Sequence, residues 1–312
     1  MSATAKTTAG PPLAEPPLYM AVGLLLGIAG VLAFSMRPVI IKLAYGFGVD
    51  AVTLIMLRMV FSLPFFLAMA AWSGWRGGRA PVSRRDWGLV AALGVTGYYA
   101  ASFLDFLGLQ YVSAGVGRLL LFLYPTIVVV LSALFLGKRI GVREVVSLVI
   151  SYAGVALVMS GELASGGSRI GLGALLVFGG AVCYAVYLVA GSRVIERVGS
   201  LRFTAWAMTA ASACCIVQFL VLRPLSALDL PAEVYGLSAV MAVFCTVLPV
   251  FMTAEALRRI GANTVALLGA LGPAAAAGFG WLALGEDVTW PQLGGAALVI
   301  AGVMVVTLKT RR

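Results

Sequence analysis

Apolar residues run along this chain in ten long blocks separated by short polar stretches. The blocks cover 18–44, 51–73, 87–108, 110–136, 142–160, 171–193, 202–222, 234–254, 262–284 and 291–308. Each has the roughly 20 residues that a helix needs to cross a bilayer. A helix satisfies its backbone polar groups within its own segment, so it is the element expected in hydrocarbon. The pattern predicts an all-α membrane protein of ten transmembrane helices. Composition agrees, with 62% hydrophobic and 11% charged residues and a mean hydropathy of +1.04. Soluble domains carry about 25% charged residues. The opening "MSATAKTTAGPPLAEPP" is polar and proline-rich. Residues 1–17 are therefore expected to be a disordered cytoplasmic tail rather than a cleaved signal.

A net charge of +10 raises the question of nucleic acid. The placement of the charge answers it. With the N-terminus in the cytoplasm, 16 of the 22 Lys and Arg residues fall in cytoplasmic segments. Only Arg169 and Arg223 fall in outside loops, and Arg37, Lys42, Arg58 and Arg118 lie within spans. This is the positive-inside bias of an inner-membrane protein with both termini cytoplasmic. No nucleic-acid partner is implied. The chain has no histidine, and Cys183, Cys214, Cys215 and Cys245 all lie inside spans. His-based metal sites and Ser–His catalysis are excluded, and neither a metal nor a cofactor is expected. No ATP-binding Gly-rich loop is present either.

Residues 109–158 and 257–306 align without a gap at an offset of 148, with 13 of 50 positions identical. Pro125 meets Pro273, Leu136–Gly137 meets Leu284–Gly285, and Ala153–Gly154–Val155 meets Ala301–Gly302–Val303. The starts, 33–44 and 183–194, match more weakly. Two halves of five spans follow, 18–160 and 171–308. Five is odd, so the second half enters the membrane from the opposite side. Such inverted repeats recur in secondary transporters, with the substrate site near the midplane where helices are broken. Pro125 and Pro273 each lack an N–H and free the carbonyls of Leu121 and Gly269, which marks them as helix kinks at the site.

"SAGVGRLLLFLYPTIVVVLSALFLGKRI" and "GANTVALLGALGPAAAAGFGWLALGEDV" resemble the two signature spans of EamA-type carriers in the drug/metabolite transporter superfamily. "TLIMLRMVFSLPFF", with Arg58, resembles that family's second span. The resemblance covers residues from about 20 to 308. It implies two five-helix repeats and transport of a small metabolite, and by family habit export. Arg118 stands where such carriers generally have a small or apolar residue, and Arg37 where a small polar one is common.

Arg118 lies in an apolar run and roughly at mid-depth, where insertion costs about 2.5–3.5 kcal/mol. Its counterpart in the second half is Ala266. Arg37 aligns roughly with Tyr187, and Arg58 with Met208. The shared fold therefore needs none of these cations. Asp105 is the acid at similar depth, and one carboxylate neutralises one arginine, not three. A surplus of guanidinium suits a carboxylate or phosphate held bidentately. Arg118 and Arg37 are expected to bind substrate. Arg58 is expected to be structural, paired with Asp105 or a helix end. Asp105 is also a candidate for proton coupling. Lys42 is expected to snorkel to the surface, and Glu255 to join a solvated network with Arg258 and Arg259. Phe122 and Pro125 share a helix face with Arg118. Tyr98, Tyr99, Tyr184 and Tyr187 lie deep enough to line the site.

The sequence thus points to a secondary carrier working by alternating access on a carboxylate- or phosphate-bearing solute such as an amino acid or organic acid. Its expected partners are that solute, a coupling proton or counter-solute, and the bilayer, with the chain a monomer or homodimer. A carrier of cationic or neutral compounds with a purely structural Arg118 remains an alternative, as does a passive channel. An intramembrane enzyme is disfavoured by the missing histidine and scarce acids. A cysteine placed at Gly166 is expected to react with a membrane-impermeant maleimide added outside intact cells. Labelling only after lysis would reverse the topology.

Overall fold

A computed structural model describes residues 17–75, 82–137, 139–164 and 169–307. Among these the regular structure is helical, with no strand. The residues 165–168 around Gly166 and nearly all of the expected tail lie outside the described residues. Among the described residues nine helices are long and apolar enough to cross a membrane: α1 (Leu18–Gly46), α2 (Ala51–Ser73), α3 (Arg84–Gly108), α4 (Ala114–Leu136), α5 (Val142–Gly161), α6 (Ile170–Val198), α7 (Ser200–Leu222), α8 (Ala232–Gly261) and α9 (Leu267–Leu284). A tenth, α10 (Trp290–Val305), is shorter and equally apolar. Large apolar side chains such as Leu134, Phe135, Val221 and Leu282 point outward, as a lipid-facing surface requires.

Helix boundaries depart from the apolar blocks where hydrogen bonding and lipid depth part company. The helices α6 and α8 continue past their apolar blocks through charged turns at Arg193–Arg197 and Glu255–Arg259. The helix α4 starts later than its apolar block because residues 109–113 form a turn. Ser113 then caps it, its side chain accepting from the Val116 amide.

The most extensive packing joins α5 to α10, α1 to α8, α2 to α7, α3 to α6 and α4 to α9. A two-fold operation exchanging the halves maps α1–α8 onto α6–α3 and each other pair onto itself. The backbone keeps this symmetry in detail. Both α4 and α9 end on a left-handed glycine, Gly137 (φ 64°) and Gly285 (φ 65°), 148 residues apart. A side chain would be strained there, and a glycine in this conformation closes the helix end. The helix α4 is interrupted at Phe122–Leu123 and the span of α9 at Ala270, again at matched positions ahead of the two prolines. The π-helical turns Val95–Ala100 in α3 and Val243–Val247 in α8 begin at the same offset.

Small residues set the closest approach. The helix α10 lies on α5 so tightly that the buried Ser147 donates to the Gly302 carbonyl. A Cβ at Gly302 would sit 2.8 Å from the Ser151 amide nitrogen and 2.9 Å from the Ser147 carbonyl oxygen. Backbone atoms cannot step aside. Gly302→Val is expected to destabilise the protein by about 1–3 kcal/mol through overpacking. Gly278→Val, where a Cβ would meet nothing within 4 Å, is expected to be far milder. Thermal unfolding of the two variants in detergent checks the difference.

Candidate functional site

The polar centre of the bundle begins at a break. Met36 interrupts α1, and a new helical segment starts at Arg37 with Pro38 in its first turn, where the missing N–H costs least. Arg37 is only 7% exposed. Its Nη2 donates to Asp105 Oδ2 at 2.7 Å. Asp105, on α3, is 2% exposed. Of the two partners expected for Arg58, Asp105 or a helix end, Asp105 is taken by Arg37. The break at Met36 places Arg37 against α3, so Arg37 reaches the carboxylate.

Arg58, 2% exposed, lies instead with its guanidinium 5.0 Å from the Phe106 ring centre. Its Nε and Nη2 are buried without a hydrogen-bond partner. It remains within electrostatic reach of Arg37, Asp105, Cys215 and Cys245.

Arg118 sits on the first half of α4, one turn before the interruption. Its guanidinium lies 4.4 Å from the Phe34 ring centre, and that same ring carries Arg37 at 4.6 Å. Cation–π contacts of this kind contribute about 0.5–2 kcal/mol each. The Nε of Arg118 is buried and unpartnered. A Cβ at Gly272 would stand 3.3 Å from the Nε and from Nη2 of Arg118. The bare backbone of α9, one residue before Pro273, is therefore what makes room for this side chain. Asp105 and Arg37 lie within electrostatic reach of Arg118, as do Tyr124 and Tyr184. Asp105 thus reaches three guanidiniums and hydrogen-bonds one of them.

Aromatic rings continue from Arg118. Phe122 and Tyr124 are 6.5 Å apart edge to face, Tyr124 and Tyr184 5.1 Å, and Tyr184 stacks on Tyr187 at 5.7 Å. Tyr187 meets Tyr98 at 5.0 Å, and their hydroxyls are 3.0 Å apart. Among the tyrosines named from sequence, Tyr98, Tyr184 and Tyr187 share this chain of rings. Tyr99 does not join it. It stacks on Phe103 and neighbours Cys214 and Cys215 of α7, because its position in the π turn points it to another side of α3. Pro125 and Pro273 lie just after the two interruptions.

Ion pairs tie the two ends of the bundle, and several join one half to the other. Lys42, expected to snorkel to the surface, pairs there with Glu286 and donates to the Val112 carbonyl at 2.9 Å. Glu286 follows α9 and was outside the set of acids considered. Both its oxygens accept from the Ala114 amide, at 2.9 and 3.1 Å. A carboxylate there complements the positive end of α4. At the same end of the bundle Arg223 reaches Asp50 at 3.1 Å. Burial pushes the Asp50 carboxyl up. Hydrogen bonds from the Thr53 side chain and amide, the Arg223 charge and the Val52 amide outweigh it and hold the group below its usual value. At the other end Arg197 holds Asp86 at 2.7 Å, and Arg258 and Arg259 both hold Glu255.

Sequence reasoning missed Phe34, Gly272, Tyr124 and Glu286. One signal was available. The 148-residue offset sets Tyr124 against Gly272, a large-for-small exchange at the turn where Arg118 is accommodated. Among the described residues no group of three or more His, Cys, Asp or Glu side chains could hold a metal ion.

Comparison with known proteins places this geometry. The profile of the EamA-like transporter family matches residues 21–160 and again 171–308. An uncharacterized transporter of Bacillus subtilis, YcbK, is 29% identical over 93% of this chain and 95% of its own length. A probable terminal-alkyne amino-acid exporter of Streptantibioticus cattleyicolor is 30% identical over 85% of this chain and 86% of its own. The threonine/homoserine exporter RhtA of Salmonella typhimurium is 29% identical over 68% of each. A solved crystal structure superimposes with a TM-score of 0.62 over 93% of this chain and 99% of that one, at 20% identity, and so shares the fold.

The buried pair makes an asymmetric prediction. Asp105→Asn leaves three guanidiniums without a carboxylate, and is expected to cost about 3–5 kcal/mol. Arg37→Gln leaves Asp105 within reach of two other cations and is expected to cost clearly less. Chemical denaturation of both variants in micelles measures the order. Equal losses would mean that Asp105 serves Arg37 alone.

Proposed function

The chain belongs to the EamA-like transporter family, and from that premise we propose that it carries a small carboxylate- or phosphate-bearing metabolite, such as an amino acid or organic acid, out of the cell or in exchange. The observation that carries this reading is Arg118, a half-buried side chain whose buried Nε has no partner and which has no carboxylate of its own. Such a group is costly in a membrane interior unless it serves a polar path or a ligand. The planar donor fork fits an oxyanion bidentately, and the rings from Phe122 to Tyr98 offer an apolar wall with hydroxyl tips for the rest of the solute. The relatives named as amino-acid exporters support a solute of that size.

In the same reading the protein is a secondary carrier of the inner membrane with both termini cytoplasmic. The end bearing Lys42, Glu286, Asp50 and Arg223 faces outside. The two halves rock about the matched helix breaks to expose the centre to each side in turn.

The test is ligand-induced thermal stabilisation of the purified protein against a panel of metabolites. A ligand of the native state raises stability by RT ln(1 + [L]/Kd), so weak binders register at high concentration. Carboxylates or phosphates are expected to raise the Tm of the native protein, and Arg118→Ala to abolish the shift. Stabilisation by cations or neutral compounds that survives Arg118→Ala would make the arginine structural and overturn the reading.

A further inference from the structure

The charge balance of the centre goes further than the presence of an arginine. Both Arg58 and Arg118 are within electrostatic reach of Arg37. Asp105 reaches all three and is hydrogen-bonded to Arg37. Once that pair is counted as neutral, two guanidiniums remain. Both carry buried nitrogens with no partner, Nε and Nη2 of Arg58 and Nε of Arg118. Arg37 itself keeps a buried, unpartnered Nε. The centre therefore holds unmet donors on all three arginines, and its surplus is two positive charges.

The fold does not call for the second of these cations any more than the first. In the other half, Met208 occupies the position related to Arg58, and it is equally buried. The equivalence is fixed by the serine one turn later. Ser62 donates to the Arg58 carbonyl at 2.8 Å, and Ser212 donates to the Met208 carbonyl at 2.9 Å. An apolar side chain thus serves the same packing role on the same helical turn. Arg58 is a departure that the packing does not explain.

We propose that the central site selects a solute carrying two negative charges, a dicarboxylate or a phosphate monoester, and that Arg58 is the residue that sets this preference. The inference rests on the anion-carrier reading above and narrows it. A zwitterionic amino acid would leave the surplus uncompensated, whereas a dianion matches it. In a medium of low dielectric constant a mismatch of one charge weighs far more than in water. Arg118 engages the solute directly, and Arg58 acts from deeper in the bundle, by field or by contact with a second acidic group.

Equilibrium binding to the purified full-length protein at constant ionic strength tests this. The probes are succinate, butyrate, glycerol 3-phosphate and L-threonine. Succinate and butyrate have the same carbon chain and differ in one carboxylate. The native protein is expected to bind succinate or glycerol 3-phosphate at least about tenfold more tightly than butyrate or threonine. Preference for succinate identifies two separate carboxylates, and preference for glycerol 3-phosphate a single phosphate head. Arg58→Met, which copies the other half, is expected to erase the preference. Arg58→Lys, which keeps the charge, is expected to retain it and serves if the methionine variant does not fold. Equal binding of butyrate and succinate that is lost in Arg118→Ala would overturn the dianion inference and leave the anion reading standing. Binding of neither dianion, or a dianion preference that survives Arg58→Met, overturns the inference as well.

Discussion

A guanidinium in the interior of a membrane protein must find compensation within a few ångströms, because no bulk water is there to supply it. Three of them converge here on one carboxylate, and the centre of the bundle is arranged around that shortage. Asp105 is placed where it reaches all three and bonds one. Phe34 offers a single ring to two guanidiniums. Phe106 does the same for the third. Gly272 withholds a side chain so that Arg118 can lie against the backbone of α9. Each device lowers the cost of the cations without cancelling their charge. Rings and a shared counter-ion keep guanidiniums tolerable while leaving their donors available, which is the condition a binding site needs.

The backbone is symmetric and the chemistry is not. Interruptions, π turns and left-handed glycines recur at one offset in both halves. The side chains that occupy these repeated positions differ sharply. Arg118 stands against Ala266, Tyr124 against Gly272, and Arg58 against Met208. A duplicated scaffold with matched weak points supplies two similar bodies and the places where they can bend. The charged groups and most of the rings of the centre are in the first half, and the second half contributes Tyr184, Tyr187 and the room at Gly272. This division separates what the fold requires from what the solute requires.

That separation also explains what the sequence could show. Ten spans and their repeat were legible because lipid demands long apolar segments and because duplication leaves identities at fixed spacing. The excess of buried arginine was legible by counting. The choice of partner was not. Whether Asp105 takes Arg37 or Arg58 depends on how far the break at Met36 displaces a side chain 68 residues away in sequence, and no local pattern encodes that. Glu286 was overlooked for the same reason. Its partners, Lys42 and the Ala114 amide, come from the other half of the chain. Tyr98 and Tyr99 are adjacent, and consecutive helical residues point about 100° apart, so helix geometry alone sends them to different surroundings.

The first half of α4 links the two polar regions that matter most. Ala114, whose amide is held by Glu286, and Arg118, whose guanidinium lies at the centre, are four residues apart and so share one face of a single rigid turn-and-a-half. The regular ladder changes at Phe122–Leu123, where Phe122 still donates to the Arg118 carbonyl and Leu123 to that of Leu120. Glu286 belongs to the second half of the chain and Lys42 to the first, so their pairing fixes this short helix against both halves at once. In a carrier that rocks its halves, releasing that end requires Glu286 to leave Lys42 or the α4 terminus. Either change moves the same rigid piece that presents Arg118. The ion pair at the end of the bundle and the guanidinium in its middle are thus joined through one short helix.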